Sequence, residues 1–319
     1  MVLRFRTLRG DDRRRILQKK QTAMIYLKSF RFPTAEEEEL CGGTKYPFRI
    51  LSAMDLNEVT FDHVTIFHGG NGAGKSTIIK VIAAKLGINP ETLVNSYSMQ
   101  AYTQLCSESS FNGFDHYDEE KRDFDTIYDV RRIVRLLSSD DVFNQIITRR
   151  KDNQRYDMRK NRLEGEWTDA KNYRIRSINF ETGEGVAEYR HAREVSRKRK
   201  SQFVDEILGE RSAEYSNGES SLQFFTQQMA PGHLYLLDEP ENSFSASMQL
   251  ELAKLITEYA RYCDCQFIIA THSPFILAIQ DAKIYDLDCY PVEIKKWYEL
   301  ESVQTYQRFF QIHQSKFTE

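Results

Sequence analysis

Beyond a strongly polar first 23 residues, short apolar runs alternate with polar punctuation along the chain. The run Met24-Ile25-Tyr26-Leu27, continuing to Phe32 and ended by Pro33, predicts a strand. The acidic stretch Glu36 to Glu39 reads as a solvated loop, and a second strand is expected near 48–51. Val64-Thr65-Ile66-Phe67 predicts a third strand that runs straight into a glycine cluster. Over 76–86 the period changes, with Ile78, Val81, Ile82 and Leu86 at helical spacing and Gly87 as the stop. Residues 106–204 are polar and irregular. Within them a strand over 133–137, a hairpin over 173–189 turning at Thr182-Gly183-Glu184-Gly185, and a basic helix over about 190–208 are expected. Order then returns: a helix over 219–229, a strand over 234–237, a helix over 245–263, a strand over 267–270 and a short helix after Pro274. A strand pair over 283–287 and 292–297 and a terminal helix complete the pattern.

With 319 residues, 40% of them hydrophobic and 12% aromatic, the chain is long enough for a sizeable core. No stretch reaches the roughly 18 uninterrupted apolar residues of a membrane span, so no direct membrane insertion is expected. Five scattered cysteines without a C-x-x-C pair exclude a disulfide scaffold and a zinc ribbon, and suit a reducing, cytoplasmic setting. Cys263 and Cys265, flanking a predicted core strand, read as buried structural thiols, and Trp167, Trp297, Phe309 and Phe310 as packing residues. The net charge of −3 conceals an asymmetry. Residues 1–23 carry eight Lys/Arg against Asp11 and Asp12, a net of +6, and 149–200 carry sixteen against nine Asp/Glu, a net of +7. The first segment lacks the apolar core of a secretory signal and is expected to be a disordered extension or to lie before the true start, with a basic arm for nucleic acid as the alternative.

Four motifs bear on chemistry. Gly69-Gly70-Asn71-Gly72-Ala73-Gly74-Lys75-Ser76-Thr77 matches G-x-x-x-x-G-K-[ST] and stands between an apolar strand and a helix N-terminus. Backbone N–H groups of such a loop curl around phosphate oxygens, and the helix dipole adds positive potential there. Lys75 would reach the β- and γ-phosphates and Ser76 would ligate Mg²⁺. Next, Leu234-Tyr235-Leu236-Leu237 is a buried-strand pattern ending in Asp238 and Glu239. The first is placed to hold the magnesium hydration shell and the second to polarise an attacking water. Ile268-Ile269-Ala270 leads into Thr271-His272, a candidate γ-phosphate sensor one helix further on. Finally, Ser216-Asn217-Gly218-Glu219-Ser220 reads by itself as a helix N-cap.

P-loop, S-x-G-E, acidic strand and switch His, in this order, resemble an ATPase of the ABC superfamily. The versions here resemble the soluble AAA-family/ABC-type ATPases of bacteria, relatives of the RecF and SMC group. The resemblance spans residues 24 to about 310 and is loose over 106–204. It implies an α/β P-loop NTPase of ABC-ATPase type, with an antiparallel β subdomain and an inserted helical/β arm. The expected parts are the extension 1–23, a core half with the P-loop over 24–105, the arm or lid over 106–204, and a second core half over 205–319. The resemblance also implies an ATP-dependent sandwich homodimer, in which Ser216, Gly218 and Glu219 of one subunit close over ATP held by Lys75, Ser76 and Thr77 of the other. Ser245 matches the loop that communicates across such dimers. For the glutamine that contacts magnesium in the superfamily, Gln100 and Gln104 lie early, and Asp140 at the end of the 133–137 strand fits better.

The resulting expectation is Mg·ATP hydrolysis, with Glu239, Lys75 and His272 as catalytic residues and Ser76, Asp238 and Asp140 around the metal. The basic stretch Arg190 to Lys200 reads as a solvated face, a nucleic-acid contact or a protein contact. Coupling to nucleic-acid metabolism or phage defence stands first. A transporter's nucleotide-binding subunit and a slow switch gating a partner effector stand as alternatives.

Overall fold

The computed structural model describes residues 25–88, 96–106, 132–172, 182–183, 185–208, 217–242 and 244–317. The extension 1–23 and Ser216 lie outside the described residues, as does the first arm of the expected hairpin. By compactness the chain divides into one unit over Met1–Ser139 and Leu222–Glu319, and a second over Asp140–Ser221.

The first unit is built on a six-stranded sheet in the order β4-β5-β6-β3-β7-β8. Its strands are β3 (Val64–His68), β4 (Val134–Ser138), β5 (Leu234–Asp238), β6 (Gln266–Ala270), β7 (Lys283–Asp286) and β8 (Glu293–Lys295). All neighbours are parallel except the β7–β8 pair. β3, β5 and β6 are buried at every position, which is why they read as continuous apolar runs without alternation. β4, expected within the inserted arm, is an edge strand of this core sheet.

A two-stranded antiparallel sheet of β1 (Ser29–Arg31) and β2 (Glu58–Thr60) packs on the core through Phe30 and Val59. β1 is shorter than the apolar run predicts. The backbone of Tyr26 and Leu27 is instead held by the side chain of Gln266, fully buried at the start of β6. No strand forms at 48–51. Arg49 takes φ 65°, the segment is a turn leading into a 3₁₀ turn over Ser52–Met54, and Phe48 and Leu51 are buried from there. The acidic run is not a loop but α1 (Ala35–Cys41). Thr34 and Glu37 form a reciprocal capping box, Gly42 closes the helix at φ 67°, and Arg31 pairs with Glu37 at 2.7 Å. The acid-rich first turn also suits the helix dipole.

α2 (Lys75–Lys85) follows the glycine loop, and α3 (Ser96–Leu105), unanticipated from the sequence, packs on it with Tyr102 fully buried. α8 (Ala246–Tyr262), the short α9 (Pro274–Leu277) and α10 (Glu301–Ile312) complete the unit near their expected places. Phe309 and Phe310 pack edge-on at 5.5 Å and remain half-exposed, as does Trp297. Cys265 is buried and Cys263 half-buried.

Among its described residues the second unit is helical. Within the stretch expected to be irregular, residues 139–172 form a 34-residue helix, α4 (Ser139–Asn172). Leu163, with Tyr156, Trp167 and Ala170, forms a sparse apolar stripe along it. This stripe packs against Val195 of α5 (Val186–Arg197) and against Phe203, Val204 and Leu208 on and after α6 (Lys200–Ile207). The second half of the expected hairpin is therefore helix. At the expected turn, Gly183 and Gly185 take φ 73° and 83°, and Glu184 lies outside the described residues. The expected single basic helix is two, parted at Lys198, whose carbonyl accepts from the Trp167 indole at 3.0 Å. α7 (Asn217–Gln228) carries Gly218 and Glu219 in its first turn and runs across the division between the units.

Candidate functional site

The site assembles at the C-terminal ends of three adjacent parallel strands, where an open α/β sheet offers a crevice. β3 delivers the glycine loop, β6 the Thr271-His272 turn, and β5 the two carboxylates, with Asp238 paired in register to Ala270.

The loop leaves β3 at Gly69 and turns into α2 through Gly72 and Gly74, both in the left-handed region at φ 84° and 82°. A side chain at Gly74 would also press on the Met54 methyl, 2.9 Å from where its Cβ would lie. Lys75 is almost wholly buried, and its ammonium donates back to the carbonyls of Gly69 at 2.8 Å and Gly70 at 2.9 Å. The same ammonium lies 3.6 Å from Oε1 of Glu239. Ser76 Oγ donates to Asp238 Oδ1 at 2.7 Å, joining the loop to the acidic strand across 162 residues of chain. Ala73 N–H bonds Gly70 O at 3.2 Å, Asn71 and Gly72 are exposed, and Thr77 is buried.

Glu239 takes φ 47°, a left-handed conformation that a non-glycine residue rarely adopts, and is held there by its N–H bond to Ala270 O. The carboxylate is a quarter exposed, and its Oε2 accepts from Asn242 Nδ2 at 3.1 Å. Asn242 also reaches Ser139 Oγ at 3.4 Å, past the end of β4. His272 is half-exposed, with Nδ1 3.4 Å from Oε1 of a buried carboxylate, Glu241. The P-loop, Asp238, Glu239 and His272 thus all stand at the C-terminal ends of three inner strands. Asp140, exposed in the first turn of α4, belongs to the second unit, as do Gly218 and Glu219. Ser245 stands at the N-cap position of α8 without a side-chain capping bond, its hydroxyl 3.0 Å from that of Ser247.

Sequence reasoning missed a second group of residues, of which Asp288 holds the loop. Asp288, after β7, accepts the Gly70 N–H with both carboxylate oxygens at 2.8 and 3.1 Å. Asp286 is paired in register with His68, and its carboxylate meets Lys295 Nζ at 2.9 Å and the Cys289 thiol at 3.2 Å. Burial works to raise the Asp286 carboxyl, but Lys295, Cys289 and the Asp288 N–H together hold it below the usual carboxylate range. The Cys289 sulfur and the Asp286 carboxylate raise the Lys295 ammonium above its own. Burial pushes the His68 imidazole below its ordinary range, Nε2 lies 2.9 Å from Ser302 Oγ, and Nδ1 has no hydrogen-bond partner among the described residues. Nothing local in the sequence marks Asp288, because 218 residues separate it from the amide it holds.

A glycine loop on an inner strand, with the acidic strand one place beyond its neighbour in a mostly parallel sheet, fits a P-loop NTPase, and the family match makes it one of ABC/AAA ATPase type. Within that class the chain belongs to the AAA_21 family, described as "AAA domain, putative AbiEii toxin, Type IV TA system". Its family model matches residues 115–278, just over half of the chain. The matched span takes in residues 216–220, Asp238, Glu239 and His272 and begins after the glycine loop. No curated protein matches the chain. Among solved structures it is similar to the Smc head domain of Pyrococcus furiosus, solved with an extended coiled coil and bound to the C-terminal domain of ScpA. That likeness has 13% identity and a TM-score of 0.44, over 89% of this chain and 100% of that one. It is also similar to cbiO1 of Clostridium perfringens, part of the ABC transporter complex cbiONQ, at 12% identity and a TM-score of 0.38, over 92% and 98%. No helix among the described residues is long and apolar enough to cross a membrane.

Proposed function

We propose that the chain binds Mg·ATP at the Lys75–Ser76–Asp238–Glu239 constellation and hydrolyses it within an ATP-dependent sandwich homodimer. The observation that carries this reading is the direct Ser76–Asp238 bond beside a buried lysine ion-paired with Glu239. The donors fit the metal: a hydroxyl and a carboxylate at 2.7 Å are hard oxygen ligands of the kind magnesium takes. When bound, the ion would neutralise charge developing on the phosphates.

The chain's own residues do the rest. Amides of the loop and the α2 N-terminus bind the phosphates, and Lys75 turns from two carbonyls to phosphate oxygens. That movement also frees Glu239 from its ion pair, leaving a partly exposed carboxylate, steadied by Asn242, to orient water and take its proton. His272 contacts the γ-phosphate. Ser216, Gly218 and Glu219 of a second copy close the site, with the α7 N-terminus as the positive end. Asp140 is retained as the residue answering to the magnesium-contacting glutamine.

Coupling to nucleic acid is supported by the second unit. Lys151, Arg155, Arg159 and Arg162 are exposed along α4 at one-turn spacing, and Arg190, Arg193 and Arg197 along α5 opposite its buried Ala192 and Val195. Such stripes suit a phosphate backbone. The type IV toxin–antitoxin system named in the family's description supports a role in defence. The test is ATP binding and turnover by the wild-type protein and by Lys75→Ala. Loss of a charged hydrogen-bonding group, about 1.5–3 kcal/mol, predicts affinity weaker by roughly 10–100-fold. Equal affinity in both proteins would refute the reading.

A further inference from the structure

Two residues beyond Glu239, the sheet buries a second carboxylate that the reading above does not use. Glu241 is 4% exposed. Its Oε1 accepts the Thr271 hydroxyl at 2.5 Å and the His272 main-chain N–H at 2.9 Å, and faces His272 Nδ1 at 3.4 Å. Among the described residues, its buried Oε2 has no hydrogen-bond partner. Taking a carboxylate out of water costs several kcal/mol, and a buried oxygen left unpaired adds to that cost. A fold that needed only to fill this space would do better with an amide or an apolar side chain.

Among the described residues, every hydrogen bond of the Glu241 side chain goes to the turn of Thr271 and His272. Thr271 Oγ1 passes the connection on by accepting from Ser273 N–H at 3.0 Å. Ser273 Oγ donates to Gln249 Oε1 on α8 at 2.6 Å. The backbone of His272 is thereby fixed from Glu241. Its ring presents Nδ1 to a carboxylate oxygen, which favours the tautomer carrying its proton on Nδ1 and leaves Nε2 for a ligand. Glu241 also belongs to the tight turn that carries Glu239: Asn242 N–H bonds Glu239 O at 3.2 Å, and Phe244 N–H bonds Glu241 O at 2.9 Å.

From this we infer that Glu241 is a positioning residue. It sets the tautomer and orientation of the His272 imidazole and fixes His272 in register with Glu239, so that base and sensor are presented to the nucleotide as one unit. The inference rests on the nucleotide reading of the site, but half of its test does not depend on it.

In apo protein carrying ¹⁵N-labelled histidine, with His272 assigned by its loss in His272→Ala, two-bond nitrogen–proton spectra report the tautomer directly. The wild type is expected to carry the proton on Nδ1. In Glu241→Gln, which keeps volume and one acceptor oxygen but removes the charge, the signals move toward a mixture of tautomers. In Glu241→Ala they reach it. In turnover, both variants should lower kcat by about 10–100-fold while ATP Kd changes less than about threefold, and Glu241→Asp should recover part of kcat. An Nδ1-protonated imidazole in all variants, or wild-type kcat in Glu241→Gln, overturns the inference. A tautomer shift in a protein that turns over no ATP would sink the ATPase reading and leave Glu241's role standing.

Discussion

Replacing Gln266 with leucine removes a single side chain that ties the N-terminal segment to the central sheet. Its Oε1 accepts from the N–H groups of Tyr26 and Leu27, both at 2.9 Å, and its Nε2 donates to Leu27 O at 2.8 Å and Asp62 O at 3.2 Å. Gln266 and Leu27 are fully buried and Tyr26 nearly so, so water cannot substitute at the three Tyr26 and Leu27 groups. Each buried backbone group left unpaired costs about 1–3 kcal/mol. Asp62 is exposed and its carbonyl can be rehydrated. The three remaining groups, relaxing partially, give a loss of about 3–5 kcal/mol, a large share of the roughly 5–15 kcal/mol of a folded domain. Gln266→Glu should be comparably harmful, because the acceptor survives but a carboxylate oxygen replaces the amide that faces two carbonyls. Native-state hydrogen exchange reads the local effect: about 3 kcal/mol corresponds to more than 100-fold faster exchange at Tyr26 and Leu27. Urea unfolding followed by circular dichroism reads the global one. Exchange at these amides within threefold of wild type, with stability lost by less than about 1 kcal/mol, would show that burial of Phe30 and Phe32 alone holds the segment.

Two further outcomes follow from the residues behind the P-loop. His68 has a folded-state affinity for protons below its ordinary value, so the unfolded chain binds more protons below about pH 6.5. Stability should therefore fall as pH drops through that value, by at most about 1.4 kcal/mol per unit, and His68→Gln should lose this slope in urea titrations; an unchanged slope would contradict it. Asp288→Ala removes the acceptor of the Gly70 N–H and should speed amide exchange across 69–74 by about 5–10-fold, the equivalent of roughly 1 kcal/mol for an exposed hydrogen bond. Unchanged exchange would mean that the loop holds its shape without the clamp.

Much of the first unit was legible because its central strands are buried on both faces and so appear as unbroken apolar runs. The P-loop was legible because its glycines, lysine and hydroxyls are contiguous. What failed did so for identifiable reasons. Glu36 to Glu39 look solvated in composition, yet Thr34 and Gly42 at the two ends supply the caps that make them a helix. The apolar stripe of α4 (Tyr156, Leu163, Trp167, Ala170) is too sparse to stand out against its charges, and it is buried only because α5 and α6 return over it. Phe48 and Leu51 satisfy a strand pattern in sequence but are buried from a turn. At the site, Asp238, Glu239 and His272 could be read from strand ends. Asp288 and Gln266 could not, since each acts on backbone more than 200 residues away. Glu241 stood in plain view beside Glu239, but only its burial and its unpaired oxygen distinguish it.

The central claim, that nucleotide held by Lys75 and Ser76 closes two copies over a site whose base is Glu239, is tested most directly by the mass of Glu239→Gln in solution. Removing the base while keeping the side chain's shape should trap the ATP-bound state. Light scattering behind gel filtration should find a dimer with Mg·ATP and a monomer without it. The double variant Lys75→Ala/Glu239→Gln should stay monomeric in both. A Glu239→Gln protein that binds ATP and remains strictly monomeric would contradict the account.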